Sequence, residues 1–171
     1  MNKWILGIVF MAICTVFAKA QDNKEEILSI YKERIAKERI NDVYIPKDIP
    51  DAMLELDKLT ENKMALGLLE ANEDTVASKL HFSLGRWMQI HWGLGEGSRL
   101  MEHLKSKGLS FPDDMMDLLI RSWYRHLNGQ VISEDALIQG YVQKRKKEHL
   151  ERLRKSKPQS FEKPPKQEHR E

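Results

Sequence analysis

The sequence predicts an all-α fold, a compact bundle of about five to seven short helices with a charged N-terminal helix and a long C-terminal one. Three observations predict it. Apolar residues recur at three- and four-residue spacing along most of the chain. Capping residues, prolines and glycines cut that pattern into short segments. No alternating apolar-polar run of useful length marks a strand.

In chain order, Asp22 to Ile40 is helical in period, with Ile27, Leu28, Tyr31 and Ile35 on one side and charges around the rest. It reads as a peripheral helix within 21–44. Pro46 and Pro50 then drive their preceding residues out of the helical region, so the domain proper starts at 45. Asp48 and Asp51 suit the positive end of a helix that carries Ile49, Met53, Leu56 and Leu59. Thr60 begins a short helix with Met64, Leu68 and Leu69, and Asn72 caps another through Val76 and Leu80.

From Leu80 to Trp92 runs the most apolar helix after the N-terminal leader, with Leu80, Leu84, Trp87, Met88 and His91 as one stripe and Phe82 and Ile90 on the other side. It is expected to be central, and Gly85 within it to mark the close approach of another helix or a large ring. Gly93-Leu94-Gly95-Glu96-Gly97 breaks that helix, Ser98 caps the next, and Gly108 ends it with Leu109 folded back on Leu104. Pro112-Asp113-Asp114 opens a helix with Met116, Leu119, Ile120, Trp123 and Leu127 on one stripe, stopped by Gly129. Ser133-Glu134-Asp135 starts the last helix, whose apolar contacts fade at Lys144. A basic extension over 144–157 and a disordered, proline-containing tail over 158–171 complete the division around a domain at 45–143.

The 171 residues, 41% apolar and 32% charged, suit one globular domain. Residues 1–20 read as a signal peptide: Lys3, an apolar run from Trp4 to Phe17, and Ala18-Lys19-Ala20 as a small-x-small cleavage site before Gln21. That run falls short of the roughly 20 residues of a spanning helix. Retention as an uncleaved anchor is the alternative. The expected location is the periplasm or the exterior. The single cysteine, Cys14, lies in the leader, which leaves the mature chain without cysteine nucleophile, thiolate ligand or disulfide. Residues 21–143 hold 15 basic and 21 acidic side chains, a net of −6, whereas 144–171 holds 11 and 5, a net of +6. An acidic body carries a basic tail.

Histidines 81, 91, 103 and 126 with Glu96 and Glu102 suggest a metal site, but no two histidines have the short spacing of paired ligands on one helix face. No metal and no cofactor are expected. The glycines at 93, 95 and 97 lack the preceding strand of a dinucleotide loop and the lysine of a phosphate loop, and read as a tight turn; anion binding there would lean on Arg99. Asp113 and Asp114 could serve as paired carboxylates, yet acids at a helix start also simply offset its exposed N–H groups. Ser98 lacks a nucleophile-elbow context. Arg86, Arg99, Arg121 and Arg125 beside Trp87, Trp92, Trp123 and Tyr124 match the residue types of recognition surfaces, against the plainer alternative of buried rings and arginines paired with acids.

The motifs His81-Phe82-Ser83-Leu84-Gly85-Arg86-Trp87, Trp92-Gly93-Leu94, Gly97-Ser98-Arg99-Leu100, Pro112-Asp113-Asp114-Met115 and Arg125-His126-Leu127-Asn128 together resemble a family of small bacterial domains known only as a domain of unknown function. The resemblance takes in Ile45-Pro46 to Leu59 and spans roughly positions 45 to 143. Gln89-Ile90-His91 stands where the family has a polar run resembling Arg-Asn-Asn, Gly95 where it has tryptophan and Phe111 where it has histidine, as in a divergent exported branch. The resemblance implies a fold and no activity.

The expected function is a non-enzymatic protein-binding module outside the cytoplasm, with Arg86, Trp92, Glu96, Ser98, Arg99, Asp113, Asp114 and Arg125 as candidate contacts and no catalytic residue assigned. The alternatives are a small hydrolase or lyase using Asp113 and Asp114 with a histidine, and an adaptor that meets an anionic envelope surface through Lys144 to Lys157. Nucleic acid is not an expected partner of an exported chain.

Overall fold

The computed structural model describes residues 24–60, 67 and 70–156. The leader, most of the short helix expected from Thr60, and the tail at 158–171 lie outside the described residues.

Helix α1 spans 24–36 and ends earlier than its charge pattern suggested. The chain then makes a minimal antiparallel hairpin, β1 (Arg39–Ile40) with β2 (Val43–Tyr44), in the register Arg39 to Tyr44 and Ile40 to Val43. Asn41 and Asp42 form its two-residue turn with φ of 49° and 63°. Both residue types tolerate this left-handed region, and two such residues in succession give a turn whose twist matches the strands. This is why the helix does not continue to Ile40.

Helix α2 (Ile49–Leu59) starts as expected: the Asp48 side chain accepts from the Asp51 N–H, Pro50 sits in the first turn, and Ile49, Ala52, Met53 and Leu56 are buried. The Asp51 carboxylate accepts in turn from Tyr44 Oη and the Lys47 N–H, both at 2.9 Å, which ties hairpin to helix. Helix α3 (Glu73–Leu80), capped by the Asn72 side chain, passes without a break through a π-helical turn at His81–Gly85 into α4 (Arg86–His91). A Cβ built on Gly85 would lie 3.4 Å from Ile120 Cδ1 and 3.5 Å from Met116 Cβ, ordinary contact distances, so Gly85 marks where the π turn packs on the helix over 112–127.

After the Gly93–Gly97 turn, helix α5 (Arg99–Ser106) is capped by Ser98, whose hydroxyl accepts from the Met101 N–H. It ends at Gly108 with φ of 98°, where the Leu109 N–H returns to the Leu104 carbonyl and the Gly108 N–H to that of Lys105. Helix α6 (Pro112–Leu127) buries Met115 and Leu118 as well as Met116, Leu119, Ile120 and Trp123. Its neighbours are α2, α3, the π turn, α4 and α7 (Glu134–Ser156). The expectation of a central 80–92 helix is corrected here: α6 is apolar on two faces, and only such a helix can be covered from several sides. Phe82 and Ile90 on the 81–91 stretch face solvent instead.

Candidate functional site

Helix α1 closes over the Gly93–Arg99 turn. Tyr31 lays its ring on Gly97, where an added Cβ would come within 2.6 Å of Tyr31 Cε2, and its hydroxyl donates to Glu102 at 2.6 Å. That bond, with burial behind it, raises the phenol above its usual range. Arg34 donates to the Gly97 carbonyl at 2.9 Å and to Glu96 at 2.8 Å. Arg99 turns back to the hairpin: its Nε donates to the Ile45 carbonyl at 2.6 Å, its guanidinium lies 5.0 Å over the Tyr44 ring, and Glu38 is 3.4 Å away. Ser98 and Trp92 are wholly buried, and the Trp92 indole N–H meets no acceptor among the described residues. An anion would have to displace α1 to reach this helix start.

At the next helix start, Asp114 is buried and Asp113 exposed. Both Asp114 oxygens are taken by Arg145 of α7, at 2.6 Å from Nε and 2.8 Å from Nη2, and the Arg145 guanidinium sits 4.5 Å over Phe111. Two turns on, Arg121 reaches Asp117 at 2.8 Å and Asp74 at 2.7 Å, while Arg125 grips Glu73 through two bonds of 3.0 Å. Tyr141 donates to Asp117 at 2.5 Å. Burial first, and then that bond, pushes the Tyr141 phenol well above its ordinary value. Burial works to lower the Arg121 pKa, but its bonds to Asp117 and Asp74 outweigh this and the net shift is upward. Glu73, Asp117, Arg121, Arg125 and Tyr141, with Leu137, Gly140 and Lys144, line a cleft of about 340 Å³ between α3, α6 and α7.

The histidines are dispersed. His126 Nε2 meets Asp57 at 2.8 Å, and the same carboxylate accepts from the Trp123 indole at 3.0 Å. His103 meets Glu134 at 2.8 Å. His91 donates from Nδ1 to the Trp87 carbonyl at 2.9 Å and stacks on the Trp87 ring, whereas His81 meets Phe82 edge-on. Among the described residues no three His, Cys, Asp or Glu side chains converge as a metal would need.

The outward side of the π turn and α4 differs from all of these. Phe82 is 86% exposed and Ile90 58%, with Arg86 midway between them in sequence at four-residue spacing. Arg86 bonds only to Gln89, at 2.7 Å, and has no carboxylate partner among the described residues. Beside this strip opens an apolar groove of about 450 Å³ lined by Leu59, Leu80, Leu84, Trp87 and Trp123, with Thr60 and Ser83 as its polar members. Of the residues singled out in the sequence, the structure thus gives Arg99 and Glu96 to α1 and the hairpin, Asp114 to α7 and Arg125 to α3, and leaves Arg86 outward. Phe82 and Ile90 were missed as contacts, although their position opposite the Leu84-Met88 stripe was the available signal.

No curated protein and no solved structure matches the chain. The family model for a domain of unknown function (DUF6794) matches residues 45–127, from the strand-to-helix connection to the last residue of α6. Over those residues the chain is similar to the DUF6794 family.

Proposed function

We propose that the domain is a non-enzymatic protein-binding module that works after export, in the periplasm or outside the cell, and that it holds its partner with Phe82, Arg86 and Ile90. The single observation behind this reading is the exposure of Phe82 on a helix whose opposite side is core. A phenylalanine left in water forgoes roughly 1.5–3 kcal/mol of burial that a partner can supply. An arginine one turn away, unclaimed by any acid among the described residues, adds the polar anchor typical of such contacts. The complementary surface is an apolar pocket with a carboxylate beside it. Export rests on the leader read at 1–20 and its cleavage site before Gln21.

A hydrolase or lyase built on Asp113 and Asp114 would need an unengaged carboxylate beside a histidine. Asp114 has both oxygens on Arg145, Asp113 is exposed, and the histidine-carboxylate bonds among the described residues use Asp57 and Glu134 instead.

The test is affinity copurification of the Gln21 to Glu171 chain from envelope extracts, compared with its Phe82→Ser and Arg86→Glu variants. The proposal expects one or more proteins that accompany the wild type and are lost from both variants while the fold is unchanged. Partners retained equally by all three chains, or none at all, would refute it.

A further inference from the structure

Helix α7 divides into a held half and a bare half. As far as Arg145 it is fixed to the body by the fully buried Ile138, by Tyr141 on Asp117 and by Arg145 on Asp114. From Lys146 to Ser156 every side chain but Glu148 is exposed, and the bonds described there are local ones back to Glu148 and Leu153. Thirteen residues, 144–156, carry seven basic and two acidic side chains.

Their order on the helix is not random. At 3.6 residues per turn, Lys146, Leu150 and Leu153 fall on one strip, flanked by Lys147 and Arg154. Glu148 falls on the other side and bonds Arg145, which faces the body, while Glu151 borders the strip beside Lys147 and Arg154. The outward strip therefore has three cations, a single acid at its edge, and two leucines exposed by 56% and 50%.

We propose that this strip lies on an anionic phospholipid surface, with Lys146, Lys147 and Arg154 among the headgroups and Leu150 and Leu153 in the interface. Charge complementarity decides the partner's sign. The pattern of leucines framed by cations decides its kind, because a helix lying in an interface buries such leucines whereas a phosphate backbone leaves them wet. Among the described residues no helix is long and apolar enough to cross the bilayer. The body, with its net of −6 over 21–143, would be repelled by the same surface. The strip begins just past the last clamp to that body, so the helix can rest on lipid while the body stays off its end. Neither Phe82 nor Arg86 takes part, and this inference stands independently of the protein partner.

The experiment is vesicle cosedimentation of the Gln21 to Glu171 chain, which keeps every described residue. It uses vesicles of equal parts phosphatidylglycerol and phosphatidylcholine against phosphatidylcholine alone. Binding is expected only to the anionic vesicles and should weaken in high salt. Lys146→Gln/Lys147→Gln/Arg154→Gln should reduce partitioning by about 100-fold, at roughly five-fold per cation, and Leu150→Ser/Leu153→Ser by about ten-fold. Removing as many cations from the other side, with Lys144→Gln/Arg152→Gln/Lys155→Gln, should reduce it by no more than about ten-fold. Far-UV circular dichroism checks that each variant stays helical. Equal losses from the two triple variants would overturn the proposal. So would a leucine variant that binds like wild type while an oligonucleotide binds with the same dependence on Lys146, Lys147 and Arg154, since that describes a polyanion site.

Discussion

Two arginine-bearing regions of this domain look alike in sequence and are opposite in structure. Arg121 and Arg125 on the cleft between α3, α6 and α7, and Arg145 beside the start of α6, each close on carboxylates at 2.6 to 3.0 Å, and Tyr141 completes the set. On the outward side of α4, Arg86 stands between two exposed apolar residues and bonds Gln89 alone among the described residues. The difference teaches that arginine beside an aromatic ring says little by itself. What separates architecture from recognition is whether an acid elsewhere in the chain has already claimed the guanidinium.

The strongest way to break this distinction is to remove an arginine from the paired region. Arg145→Ala leaves Asp114, with a side chain only 7% exposed, without its cation. The expected loss is about 2–3 kcal/mol in urea unfolding, below the range for a fully buried pair because Arg145 itself keeps some solvent. A loss under 0.5 kcal/mol would place the paired region on the same footing as the surface. Gly97→Ala comes next, at about 1–3 kcal/mol. It combines a φ of 106° with a clash against the Tyr31 ring, and should free α1 for proteolysis before the rest unfolds.

Much of the fold was legible in the sequence, and what was not has a common cause. Asn72 and Ser98 cap the helices they were expected to cap, Asp48 stands at the helix start it was expected to suit, and Gly85 marks a helix contact, because those effects act within a few residues. The hairpin at Asn41-Asp42 was local too, but two-residue strands are too short to alternate. The π turn and the centrality of α6 depend on which helices meet. So do the pairings that decide the site: Glu73 with Arg125 and Gly97 with Arg34 lie 52 and 63 positions apart. A single sequence offers no register between such segments, so the arginines could be recognised as candidates but not sorted.

Titration sharpens the comparison within the paired region. The folded Tyr141 phenol binds its proton more tightly than an ordinary phenol near 10, first through burial and then through Asp117. Its contribution is therefore complete below pH 10 and is lost as pH rises from 10 toward the raised value, with a slope of at most about 1.4 kcal/mol per pH unit. Relative to wild type, Tyr141→Phe should unfold with a shallower pH dependence in that alkaline window and show no difference in slope at neutral pH. Equal alkaline slopes would mean that neither burial nor the Asp117 bond raises the folded phenol in solution.

The smallest expected effect on stability is also the most discriminating. Phe82→Ser and Arg86→Ala remove side chains that give the folded domain almost nothing, so each should change unfolding free energy by less than about 0.5 kcal/mol. Phe82→Ser has a particular reason to be neutral: its ring is equally wet in the folded and unfolded chain, apart from its edge contact with His81. In the paired region, by contrast, loss of an arginine and loss of stability are one event. If Phe82→Ser instead lowered stability by 2 kcal/mol or more, the ring would have to be covered in solution by this chain, and the outward face would belong with the architecture.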